Sequence, residues 1–118
     1  MFKEILQKVV GRMDGAAIGA ILMDRDGIAV EKIVEVDGFD IETAAMEYSV
    51  VLRDIFKAAA EMNAGEVNEV LVKTQRFAAL LRILDATYFV ALFLEPAGSV
   101  GKGRYVLRTA SADLKKEL

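Results

Sequence analysis

DIETAAMEYSVVLRDIFKAAAEMN, residues 40–63, is the stretch that decides the fold. It holds neither Gly nor Pro and is rich in Ala, Met, Leu, Glu, Arg and Lys, all good helix formers. Asp40 stands where an N-cap belongs, with a side-chain oxygen free to accept an orphan backbone N–H, and Glu42 puts negative charge in the first turn. Gly65 is a natural stop. At 1.5 Å per residue the helix would be roughly 35 Å long, the width of a small domain.

Ile41, Ala44, Ala45, Tyr48, Leu52, Ile55, Ala59 and Met62 follow helical spacing and form a broad apolar stripe, which calls for a sheet beneath it. Met46 and Val50 lie on the far side at i, i+4 spacing, and Arg53 and Lys57 continue the ridge. Two readings fit an outward Met–Val pair ringed by Glu42, Glu47, Arg53, Asp54 and Lys57. It marks a protein contact with a charged rim, or it is two ordinary surface apolar residues.

The bulk composition narrows the function classes. A chain of 118 residues suits one domain over residues 1–118 with one modest core. Its 54% hydrophobic content is high, so either both sheet faces are covered or a partner buries some apolar surface. A net charge of -3 argues against nucleic-acid binding, which needs a basic face. There is no Cys and no His, which removes disulfides, thiol nucleophiles, the commonest general base and the commonest metal ligand. No catalytic, cofactor-binding or metal-binding residue is therefore assigned. The opening MFKEILQKVVGR mixes charge through its apolar positions, unlike a signal peptide. The uncharged runs at 16–23 and 86–94 fall far short of the ~20 residues a membrane span needs. The expectation is a cytoplasmic protein without membrane insertion.

Outward from the long helix, residues 2–12 read as a short amphipathic helix, with Phe2, Ile5, Leu6, Val9 and Val10 on one face. Residues 16–36 read as a hairpin turning at Asp24-Arg25-Asp26-Gly27. Its first arm is apolar on both faces, and Gly19 there implies close packing or a bend. Its second arm looks like an edge strand. Beyond the helix, residues 66–75, 77–84 and 88–94 read as three strands. YFVALFL, closed by Glu95-Pro96, has the character of a central strand buried on both sides. Residues 97–103 read as a loop, and 104–117 as a last helix with Tyr105, Val106, Leu107, Ala110 and Leu114 apolar. The order is α-β-β-α-β-β-β-α.

Two local motifs invite chemistry. Asp24 and Asp26 suggest a cation loop, but the third ligand and the distant Glu of an EF-hand are missing, so turn chemistry is favoured. Gly98-Ser-Val-Gly-Lys102-Gly103 sits between a strand and a helix, as a phosphate loop does. Pro96 stands where the Walker pattern needs Gly, and Gly103 where it needs Ser or Thr, so a plain turn is favoured. Arg53 is weighed as an arginine finger against a solvated helix charge, with the latter favoured.

The order of elements and several residues resemble the roadblock/dynein light-chain family, in particular its bacterial MglB-like branch. The resemblance is carried by the first helix, the Gly15…Gly19-Ala-Ile-Leu-Met-Asp24-Arg-Asp26-Gly27-Ile28 hairpin, the long Ala-rich helix, the three-strand meander and the Gly98…Gly101-Lys-Gly103-Arg104 entry to the last helix. It implies an α+β fold, a single-domain αβα sandwich on a five-stranded antiparallel sheet. It also implies a homodimer in which the long helices (40–63) lie side by side and the third strands (66–75) pair edge to edge. The implied dimer interface comprises Met46, Val50, Val67, Glu69, Leu71 and Lys73. The implied function is binding a small Ras-like GTPase through Glu42, Met46, Glu47, Val50, Arg53 and Lys57. The chain would act as a GTPase-activating or scaffold protein that reorders the switch loops and needs no cofactor. The alternative is a structural light-chain subunit with no activating effect. Some MglB-like proteins continue past the last helix, whereas this sequence stops at Leu118; if such an extension aids GTPase binding, the expectation shifts toward scaffolding.

Overall fold

The long helix starts where its sequence predicts because Asp40 organises the first turn. The Asp40 carboxylate accepts the Thr43 backbone N–H at 3.1 Å and the Thr43 hydroxyl at 2.7 Å. The helix ends at Glu61 with Met62 as its C-cap, and the chain turns away at Asn63 rather than at the expected Gly65. Asn63 adopts φ 54°, its N–H donates to Ala60, and the Ala64 N–H reaches back to Ala59. These are the two bonds of a Schellman turn, which Asn accommodates because it tolerates the left-handed region.

The computed structural model describes residues 1–118. Its elements are α1 (Phe2–Gly11), β1 (Ala17–Asp24), β2 (Ala29–Val34), α2 (Ile41–Glu61), β3 (Glu69–Lys73), β4 (Ala78–Ile83), β5 (Tyr88–Leu94) and α3 (Val100–Glu117). The strands form one antiparallel sheet in the order β2-β1-β5-β4-β3. Strands β1 and β5 are apolar at nearly every position because they lie inside the sheet and are covered on both faces. The expected α+β sandwich is the observed one.

The two covers are unequal. On one face α1 and α3 pack Leu6, Val9, Val106, Leu107 and Leu114 against Leu22, Leu80 and Leu92. On the other, α2 alone presents Ile41, Ala45 and Leu52 to Ile21, Leu81, Phe89 and Phe93. Its backbone comes nearest to β1 and β2, so the face over β4 and β3 is only partly roofed. Val70, Val72, Phe77 and Ile83 are half-buried there.

Gly19 shows why β1 carries a glycine. A Cβ there would lie 2.6 Å from the Ile33 carbonyl oxygen and 2.9 Å from Ile41 Cδ1, so the hairpin and α2 close over bare backbone. Three expectations need correction. First, α3 begins at Val100 rather than 104: Ser99 caps it by accepting the Lys102 N–H at 3.1 Å. The supposed loop residues Gly101, Lys102 and Gly103 form its first turn, and Gly103 lets the helix settle against Leu80, Leu92 and Leu94. Second, Tyr105 faces outward, with the Arg12 guanidinium 5.5 Å from its ring centre. Third, Met62 is exposed at the helix end instead of completing the apolar stripe.

Candidate functional site

Helix α2 presents two flanks and a crest, and the surroundings of each differ. The flank toward β2 is held by polar contacts. Glu42 pairs with Lys32 at 3.1 Å, and Arg53 meets Asp26 at 3.5 Å. Met46 leans over the β1–β2 turn, where a Cβ on Gly27 would sit 3.0 Å from its Cγ. Ser49, buried on the same flank, donates its hydroxyl to the Met46 carbonyl at 2.6 Å. Met46 remains 43% exposed beside an unpaired sheet edge that also exposes Ile28, Val30 and Val34. The register puts Lys32 opposite Ile21 and Val34 opposite Gly19, so both lie on the α2 side of the sheet. Strand β2 itself alternates half-buried and exposed positions, as an edge strand should.

The flank toward β3 is apolar along its length. Ala44, Tyr48, Val51, Ile55, Ala58 and Met62 follow one another at i+3 or i+4 steps and make a continuous ridge. The Tyr48 ring stacks on Phe93 at 6.2 Å, and burial raises its phenol pKa above the usual tyrosine value. Val51 is 51% exposed and Met62 still more. Beside this ridge lie the half-buried Val70 and Val72 and the free outer edge of β3. Sequence reasoning passed over Val51; the 44-48-51-55-58-62 spacing was the signal for it.

The crest carries Glu47, Val50, Asp54 and Lys57, all exposed. The residues predicted to meet a partner therefore divide: Glu42, Met46 and Arg53 on the β2 flank, Glu47, Val50 and Lys57 on the crest. Those predicted for β3 also divide. Glu69, Leu71 and Lys73 stand opposite Arg82, Leu80 and Ala78 and face α3. Glu69 is engaged there, accepting the Arg104 Nε–H at 2.8 Å. Val67 precedes the strand and is half-buried.

The two chemical motifs resolve into structure. The Asp24 carboxylate accepts the backbone N–H groups of Asp26 and Ile28 at 2.9 and 3.0 Å, so it shapes the hairpin turn. No three metal-ligating side chains gather anywhere. Lys102 reaches Asp14 at 2.5 Å and ties α3 to the α1–β1 turn instead of standing over a phosphate cradle. No helix is long and apolar enough to cross a membrane.

No protein-family model and no curated protein matches the sequence. Solved structures do. MglC from Myxococcus xanthus is 33% identical, with 99% of this chain and 98% of that one covered, at a TM-score of 0.71. MglB from the same organism is 15% identical over 98% and 94% of the two chains, at 0.84. A Roadblock/LC7 domain from Streptomyces avermitilis is 14% identical over 97% and 94%, at 0.85. A further MglB structure has a tetrameric arrangement.

Proposed function

Because this chain belongs to the roadblock family, as its kinship with MglC and the shared Roadblock/LC7 fold show, we propose that it is a homodimeric, non-catalytic regulator or scaffold of a small Ras-like GTPase in the cytoplasm. Residues 1–118 act as one roadblock-like unit. The observation that supports this reading is the division of α2 into an apolar flank toward β3 and a flank toward β2 where Met46 is exposed among ion pairs, each open to a different neighbour.

The β3 flank serves the dimer. A second copy laid along Tyr48, Val51, Ile55 and Met62 would roof the half-covered sheet face, while β3 meets its counterpart edge to edge. Leu71 and Lys73 line that edge, with Val67 and Glu69 at its start, and Val50 on the crest would meet the helix of the second copy. One isologous contact would then cover the β3 edge of each protomer and leave the β2 edge open. The β2 flank and crest serve the partner: Met46 and Val50 supply apolar contact, and Glu42, Glu47, Arg53 and Lys57 form the charged rim. Met46, leaning over the hairpin turn, belongs with this surface rather than with the dimer.

Regulation would follow from binding alone. A dimer that prefers the hydrolysis-competent arrangement of the switch loops shifts their population and accelerates GTP hydrolysis without lending a group. Arg53 holds Asp26 on a rigid helix, which suits recognition better than insertion as a finger. Single-turnover GTP hydrolysis by a Ras-like GTPase from the same source, with and without the chain, tests this. Acceleration in the mixture alone supports an activating protein. Nucleotide-dependent binding without acceleration supports a scaffold. Absence of binding in every nucleotide state sinks both.

A further inference from the structure

A cavity of about 390 Å³ opens at the sheet end where the β4–β5 turn meets the segment after α2. Its walls bring together three cations from distant parts of the sequence: Arg25 in the β1–β2 turn, Arg82 in β4 and Lys115 in the last turn of α3. The size falls within the range of small-molecule sites.

None of the three has a carboxylate partner, and for two of them the structure shows why. Arg82 stands directly across from Glu69 in the β3–β4 register, the natural place for a cross-strand ion pair. Glu69 turns away and gives both carboxylate oxygens to Arg104 Nε at 2.8 Å. Arg25 is held rigid instead of neutralised. Its guanidinium lies 4.0 Å from the Phe56 ring centre and donates to the Asp85 carbonyl at 2.8 Å. Its Nε–H is buried with no acceptor, a costly state for a charged donor.

Two acids also line the cavity. Asp85 is engaged, its Oδ1 accepting the backbone N–H groups of Thr87 and Tyr88 at 2.8 Å. Glu66 is the one free carboxylate at the rim. Three cations against two carboxylates leave the lining with a net positive charge, and a guanidinium locked by stacking loses little freedom on meeting an oxyanion.

We propose that this cavity binds a small polyvalent oxyanion, a phosphate- or pyrophosphate-bearing compound, held by Arg25, Arg82 and Lys115. The site does not depend on the GTPase reading and is tested without a GTPase. The full chain is titrated with inorganic pyrophosphate and with orthophosphate, against sodium chloride at matched ionic strength, and followed by amide NMR shifts and calorimetry. Saturable shifts centred on Asn68 and residues 82–86, with pyrophosphate tighter than orthophosphate, are expected. Arg82→Gln and Lys115→Gln should each weaken pyrophosphate binding about tenfold, as loss of one charged hydrogen bond does. Lys115 is exposed, so its variant keeps the fold even if Arg82→Gln does not. Shifts that never saturate, that centre on Lys102, or that persist at full affinity in Lys115→Gln would overturn the site.

Discussion

Val51 and Met46 offer a matched pair for separating the two surfaces of α2. They are exposed to a similar degree, 51% and 43%, and lie on opposite flanks of one helix. Full burial of a valine side chain contributes ~1.5–3 kcal/mol, so covering the remaining half of Val51 is worth about 1 kcal/mol per protomer. Two-fold symmetry doubles this to about 2 kcal/mol per dimer. Val51→Glu removes that gain and forces two carboxylates into an apolar seam, which adds at least a further ~2 kcal/mol. A total of about 4 kcal/mol raises the dimer Kd roughly a thousandfold. The monomer itself should lose no more than ~0.5 kcal/mol, since the site is open to water in the single chain. Sedimentation velocity over a wide concentration range reads the first effect and denaturant unfolding the second. Met46→Glu should remain dimeric and lose GTPase binding. A Val51→Glu protein with wild-type dimer affinity, or a Met46→Glu protein that dissociates, would refute the assignment of the flanks.

Two further predictions concern the framework. Gly19→Ala puts a methyl group against a carbonyl oxygen in a paired strand and should cost about 3 kcal/mol, roughly 10 °C in Tm. Gly103→Ala meets only the flexible ends of three leucines at 3.3–3.6 Å; with helix propensity gained, it should stay within about 1 kcal/mol of wild type in the same thermal melts. The Asp40 cap gives a pH signature: the Thr43 hydroxyl first, then the Thr43 backbone N–H, holds its carboxyl below the usual carboxylate range. A pKa depressed in the folded chain contributes stability above the unfolded value that is lost as pH falls through the folded one. The Tm gap between wild type and Asp40→Ala should therefore narrow on acidification below pH ~4, and a gap that widens would contradict the cap.

Much of this architecture is legible in the amino-acid order, for identifiable reasons. The all-apolar runs of β1 and β5 place them inside the sheet, and the Asp40 cap marks where α2 begins. The start of α3 is not legible because three glycines in seven residues read as a loop. Only the sheet explains Gly103, since its missing side chain admits the leucines beneath. The flanks of α2 are harder still. A stripe of helical spacing reveals which residues are apolar, but not how far the sheet extends beneath them. Ala44, Tyr48 and Ile55 read as core, yet they border an uncovered face, because one helix cannot roof five strands. The cavity at the β4–β5 turn left no trace in the sequence. Arg25, Arg82 and Lys115 are far apart along the chain, and the diversion of Glu69 to Arg104 depends on the fold.

The pairing of β1 with β5 joins Asp24 to Tyr88 across a separation of 88 − 24 = 64 residues. Every surface proposed to face a partner, both flanks of α2 and the β3 edge, lies within that closed loop. The entropic cost of such closure grows only with the logarithm of its length, and doubling the loop adds about 0.6 kcal/mol. The joint between the first and last thirds of the chain thus acts as a clasp. Between its ends, the surface connections of the enclosed segment can lengthen at small entropic cost, while the register of its strands stays fixed by the side chains they bury.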